Sequence, residues 1–139
     1  MLNSAASMLL FVMFAVCILI LLGAAGGFYS RVNDSYDSTY NTSAAVKYLS
    51  NKVRACDSCE IIEDGSGIAL TDGGLLCIVY ERDGAVYEKN VAAGSELLAI
   101  GGEPIFALDT LDISESDGLL RIEVTHGDSG CEVLVRKGR

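Results

Sequence analysis

From Ser4 to Ser30 the chain carries no charged side chain, and from Ala5 to Phe28 it is almost entirely apolar. As a helix rising ~1.5 Å per residue, that stretch would be about 36 Å long, enough to cross a ~30 Å hydrocarbon core with some tilt. At 139 residues the chain has room for one such segment and one small domain, and a second independent core would not fit. The segment therefore reads as a membrane-spanning helix, with one small domain following it.

A cleaved secretory signal is the rival reading, since Gly23-Ala24-Ala25 places small residues before a cut after Ala25. The stretch before Ser7 carries no Lys or Arg, and the apolar run exceeds the ~7–15 residues of a signal core. An uncleaved anchor is the expectation. It leaves open a leader upstream of Met1. Gly23 and Gly27 form a small-xxx-small pair, the spacing that lets a second helix approach closely in a membrane; glycine tolerance in membrane helices is the plainer alternative.

Half of the residues are hydrophobic and the mean hydropathy is +0.37, but much of that excess sits in this one block. Elsewhere acidic groups dominate: 19 Asp and Glu stand against 10 Lys and Arg, a net charge of −9. No basic run is available to neutralise phosphates, so nucleic acid is not an expected partner.

Beyond Tyr29 the pattern Val32, Tyr36, Tyr40, Ser43, Val46, Leu49/Ser50, Val53 steps by three and four, predicting an amphipathic helix that continues the membrane helix to Arg54–Ala55. Gly26-Gly27 and Asn41-Thr42-Ser43 are its weak points. From Glu60 the period becomes two, predicting strands at Glu60–Glu63, Ile68–Thr71, Leu75–Arg82, Ala85–Val91, Glu96–Ile100, Gly118–His126 and Cys131–Arg136, with a further one near Ile105–Leu108. Asp83-Gly84 suits a tight hairpin turn, and Gly127-Asp128-Ser129-Gly130 joins the last two strands. The expected fold is α+β, a long N-terminal helix packed on a small antiparallel sheet. Its parts are a transmembrane helix at 1–30, an amphipathic extension at 31–55 and a β domain at 56–139.

Five cysteines are present. Cys17 lies in the apolar segment and reads as a small apolar filler. Cys56-Asp57-Ser58-Cys59 is a CxxC at the helix end, open to three readings: redox dithiol, half of a metal site, or local disulfide. A zinc site would need two more ligands, and Cys77 and Cys131 stand alone in core-facing strand positions, where they bridge only if their strands are neighbours. No metal or cofactor is expected. His126 and Gly127-Asp128-Ser129-Gly130 match the nucleophile loop of trypsin-like proteases in letters, but read as a turn. Asp109, Asp112, Glu115 and Asp117 lack calcium-loop spacing and read as a solvated acidic face.

The run Leu9-Leu10-Phe11-Val12-Met13-Phe14, the stretch Gly26-Gly27-Phe28-Tyr29-Ser30-Arg31-Val32 and the segment Ala45-Val46-Lys47-Tyr48-Leu49-Ser50-Asn51-Lys52-Val53-Arg54 carry a resemblance. So do Ile78-Val79-Tyr80-Glu81-Arg82-Asp83-Gly84 and Gly118-Leu119-Leu120-Arg121-Ile122-Glu123-Val124. They are similar to an uncharacterised family of small pilin-like membrane proteins of Gram-positive, clostridial gut bacteria, and the plan resembles type IV pilins and pseudopilins. The resemblance implies a non-enzymatic minor subunit of a pilus or type II secretion-like assembly, its helix packed among lipid and other single-helix pilin-like subunits. No catalytic residue and no small-molecule substrate come with it. A prepilin carries a Glu five residues into its mature helix, whereas this chain has no acidic residue before Asp34. Cysteine use and the resemblance place the C-terminal domain outside the cytoplasm. The alternatives are a membrane-anchored binding or sensor module and a thiol-redox protein using Cys56 and Cys59.

Overall fold

The computed structural model describes residues 2–62 and 65–137. In chain order the elements are α1 (Leu2–Ala55), β1 (Ser58–Ile61), β2 (Gly67–Asp72), β3 (Leu75–Arg82), β4 (Ala85–Ala92), β5 (Glu103–Ala107), β6 (Thr110–Ser116), β7 (Leu119–His126) and β8 (Ser129–Arg136). The fold is α+β, as the change of period from three-and-four to two predicts. The chain divides into two units: Met1–Tyr36, whose described residues are all helical, and Asp37–Arg139, which holds the rest of α1 and every strand.

Neither Gly26-Gly27 nor Asn41-Thr42-Ser43 interrupts α1, which runs 54 residues as one element. Its last turn carries Lys52 and Arg54, cations that complement the negative helix terminus. The ladder closes where the Cys56 N–H donates to the Lys52 carbonyl at 3.0 Å.

The strands form two antiparallel meanders, β1-β2-β3-β4-β5 and β6-β7-β8, in place of a single sheet. Asp83 and Gly84 both adopt positive φ, 52° and 79°, so the β3–β4 hairpin closes in two residues, as a tight turn of this type requires. Asp117 and Gly118 repeat the device between β6 and β7.

Period-two alternation decides which side chains meet. Ile68, Leu70, Val79 and Val86 of the larger sheet join Leu111, Ile113, Leu120, Ile122, Val124 and Val135 of the smaller one in a single core, closed by Ala45, Val46, Leu49 and Val53 of α1. The opposite face of the larger sheet is also buried. Ala69, Leu76, Ile78 and Tyr80 form a second cluster, against which Tyr87, Val91 and Ala99 pack. Tyr80 and Tyr87 are cross-strand partners and their rings stack at 5.6 Å.

Three expectations need correction. The stretch Glu96–Ile100 is not a strand: the second edge of β4 is taken by β5, and 93–102 is irregular, with Ala99 resting on the outer cluster. The expected strands leave 109–117 without one, yet Thr110–Ser116 is β6; Leu111 and Ile113 turn inward, while Asp112 and Glu115 are exposed on the solvated acidic face expected of them. The buried stripe of α1 runs through Ser38, Thr42, Ala45, Val46, Leu49, Ser50 and Val53, whereas Val32, Tyr36 and Tyr40 are exposed. Small side chains bring the helix close to the sheets, so the tyrosines, about 200° away on a ~100° per residue wheel, face outward. The expected strand end at Glu63 lies outside the described residues, as does Met1.

Candidate functional site: the apolar helix and the cysteine pair

The first half of α1 is long and apolar enough to cross a membrane, with none of its best window buried. Met8 to Phe14, Ile18 to Leu22 and Phe28 present their side chains without a protein partner. A Cβ added at Gly23 or Gly27 meets nothing within 4 Å, leaving space for the backbone of another helix to come close. Tyr29 and Arg31 follow at the polar end, where an amphipathic aromatic and a snorkelling cation suit the headgroup layer.

All five cysteines are free thiols. Cys56 is buried immediately after α1, and its S–H donates to the Val53 carbonyl at 3.2 Å. Cys59 sits half-buried on β1 opposite Leu70. Both thiols lie on the same core, Cys56 within it and Cys59 packed against it. Burial, and then the neighbouring Cys59, pushes the Cys56 thiol up; burial likewise raises Cys59, against the pull of Lys137. The thiolate, the form that attacks disulfides and ligates metals, is therefore disfavoured at both positions. Cys77 accepts a hydrogen bond from Lys52 Nζ at 3.2 Å, and Cys131 stands opposite Val124 in the other sheet. Cys17 is exposed within the apolar stretch. Among the described residues, no group of three or more His, Cys, Asp or Glu could hold a metal ion.

A polar knot joins α1 to the larger sheet. The Glu88 carboxylate accepts from Lys52 Nζ at 2.9 Å, from the Tyr48 hydroxyl and from Asn90 Nδ2 at 3.3 Å. Lys52 lies 5.0 Å from the centre of the Tyr48 ring, which meets Phe106 edge-on. A cleft of about 450 Å³ opens beside it, lined by Tyr48, Glu88, Lys89, Asn90, Gly102, Glu103 and Ile105. Nothing local in the sequence signals this knot, because Tyr48 and Glu88 are 40 residues apart and each reads alone as a helix or strand surface residue.

His126 Nδ1 lies 3.3 Å from Asp109 Oδ1, and Asp109 Oδ2 accepts the Gly127 N–H at 2.7 Å. The Ser129 hydroxyl is engaged instead by Ser38 and Thr39 of α1, at 3.1 Å each. The segment thus works as a turn that ties β8 to the helix.

A family model for a domain of unknown function, DUF4860, matches residues 40–127. The chain belongs to the DUF4860 family. No curated protein matches it, and no solved structure does. The DUF4860 match opens within the second half of α1 and runs through β1 to β7, closing in the turn before β8. Cys56, Cys59, the Glu88 knot and Cys77 all fall inside the DUF4860 region, whereas Gly23 and Gly27 precede it.

Proposed function

We propose that this DUF4860 chain is a non-enzymatic, pilin-like minor subunit, anchored by α1 in the membrane among other single-helix subunits, with its β domain outside the cytoplasm. The observation that carries this reading is the contrast within one helix. From Ala45 to Val53 α1 fills the core of the β domain, and from Met8 to Phe28 it offers mostly exposed apolar side chains and three open glycines, Gly23, Gly26 and Gly27. In lipid, apolar side chains gain little from each other over acyl chains, so association there relies on close packing at small residues. Gly23 and Gly27 are suited to that role, and lipid covers the remainder.

Extraction in mild detergent, followed by chemical crosslinking and mass analysis, tests the proposal. The expected result is co-purification with other single-helix proteins, weakened in a Gly23→Leu/Gly27→Leu variant whose β domain melts as before. Recovery strictly as a monomer would overturn it. A membrane-anchored binding module is the second reading, favoured by the cleft beside Glu88; a small ligand that raises the melting temperature of the wild type, and does so less at Glu103→Ala, would favour it.

A further inference from the structure

We propose that Cys56 and Cys59 are a modification site, closing into a local disulfide that clamps the end of α1 to the first strand of the β domain. The chain bends at Asp57, directly between the two cysteines. That bend is fixed on both sides: the Asp57 N–H donates to the Thr71 carbonyl at 2.9 Å, and Asp57 Oδ2 accepts the Gly73 N–H at 3.3 Å. Cys56 is held by the last turn of the helix and Cys59 by its register opposite Leu70. Both side chains turn onto the same core, Cys56 within it and Cys59 packed against it.

The other cysteines are poorly placed to compete. Cys59 and Cys77 each stand opposite Leu70, on strands that flank β2. Two strand spacings of ~4.8 Å put them about 9.6 Å apart, beyond the ~7 Å reach of a disulfide. Cys131 belongs to the smaller sheet, and Cys17 to the apolar stretch.

Closure requires an oxidant of the disulfide class, either an oxidised small thiol or the active-site disulfide of a thiol oxidase. Cys59, the more exposed of the two, loses its proton to water and attacks one oxidant sulfur, releasing the first thiol and forming a mixed disulfide. Cys56 then loses its proton and attacks the Cys59 sulfur, and the second thiol leaves. Two protons and two electrons pass from the pair to the oxidant, which ends as two thiols. Burial of both groups makes the step slow without a catalyst, because the thiolate is scarce. Its occurrence in the cell rests on the proposed placement of the β domain outside the cytoplasm, where such oxidants persist.

The test uses the full chain in detergent, equilibrated with oxidised glutathione, alkylated, and cut on the N-terminal side of aspartate, which separates Cys56 from Cys59. The expected product is one linked peptide pair that falls apart on reduction, with Cys17, Cys77 and Cys131 alkylated, and the same link in a Cys77→Ser variant. Alkylation of all five cysteines, or a link through Cys77 or Cys131, would overturn the proposal. Trapping thiols in intact cells adds an independent arm. A link that forms in the purified chain and is absent from cells would overturn the outward placement of the domain and leave the pairing standing.

Discussion

Glu88 is where the helix and the larger sheet meet through polar groups, and it answers three donors from a site only 16% exposed. Replacing it with alanine strands the Tyr48 hydroxyl and leaves the Lys52 ammonium with the weaker acceptor Cys77. Unmaking buried hydrogen bonds of this kind costs roughly 1–3 kcal/mol. Glu88→Ala should therefore lower the unfolding free energy in denaturant titrations by that amount, and Glu88→Gln, which keeps one acceptor oxygen, by less. The reduced cysteine pair sets a pH dependence of definite sign. Burial raises both thiols in the folded chain, while the unfolded thiols ionise near pH ~8.5. Below that value both states hold their protons and the stabilisation is complete. As pH rises from about 8.5 towards the raised folded pKa values, only the unfolded chain releases protons, so stability falls. Urea titrations of the reduced protein across this range should show the loss, and a Cys56→Ala/Cys59→Ala variant should show less of it.

At the scale of elements, Gly67 opens β2 in a place no side chain fits. A Cβ there would meet the Val79 carbonyl oxygen at 2.7 Å, Ile62 Cδ1 at 2.8 Å and Tyr80 Cβ at 2.9 Å. Two of these belong to β3, so relief requires the β2–β3 ladder to shift. Gly67→Ala should cost about 1–3 kcal/mol, the usual penalty of overpacking, whereas Gly73→Asn, at an open turn position with φ 55°, should be nearly neutral. Thermal melts of the two variants side by side check this. The hairpin of β3 and β4 was legible in the sequence because Asp83-Gly84 punctuates two strongly β-forming runs. The strand β6 carried only two inward positions, Leu111 and Ile113, between exposed acidic residues, a signal too short to mark it as a strand. Glu96–Ile100 misled in the opposite sense: Leu97, Leu98 and Ile100 suggest a strand, yet strand formation needs a free edge, and β5 occupies it. Edge occupancy is a property of the assembled sheet and leaves no trace in a local pattern. The same limit hid the Glu88 knot, whereas the CxxC was visible as spacing and needed the bend at Asp57 to acquire a geometry.

For the molecule as a whole, the boundary between Tyr36 and Asp37 separates a helical unit with no core side chain from the unit that holds the core. Every buried hydrophobic side chain among the described residues lies at Ala45 or beyond, and the buried polar helix residues begin at Ser38. The unit Asp37–Arg139 thus contains the complete core, the Ser38 and Thr39 contacts to Ser129 and both cysteine-bearing ends of the proposed clamp. The unit before it adds exposed apolar surface and no core side chain, and a surface of that size drives association in water but is satisfied in lipid. Removing residues 1–36 should therefore leave a fragment that stays in the supernatant without detergent and unfolds in one cooperative transition near the melting temperature of the full chain in detergent. The full chain should sediment with membranes and resist carbonate extraction. Centrifugation and circular dichroism distinguish the cases: a fragment that aggregates, or melts without cooperativity, would mean that the first unit stabilises the β domain directly and does more than anchor it.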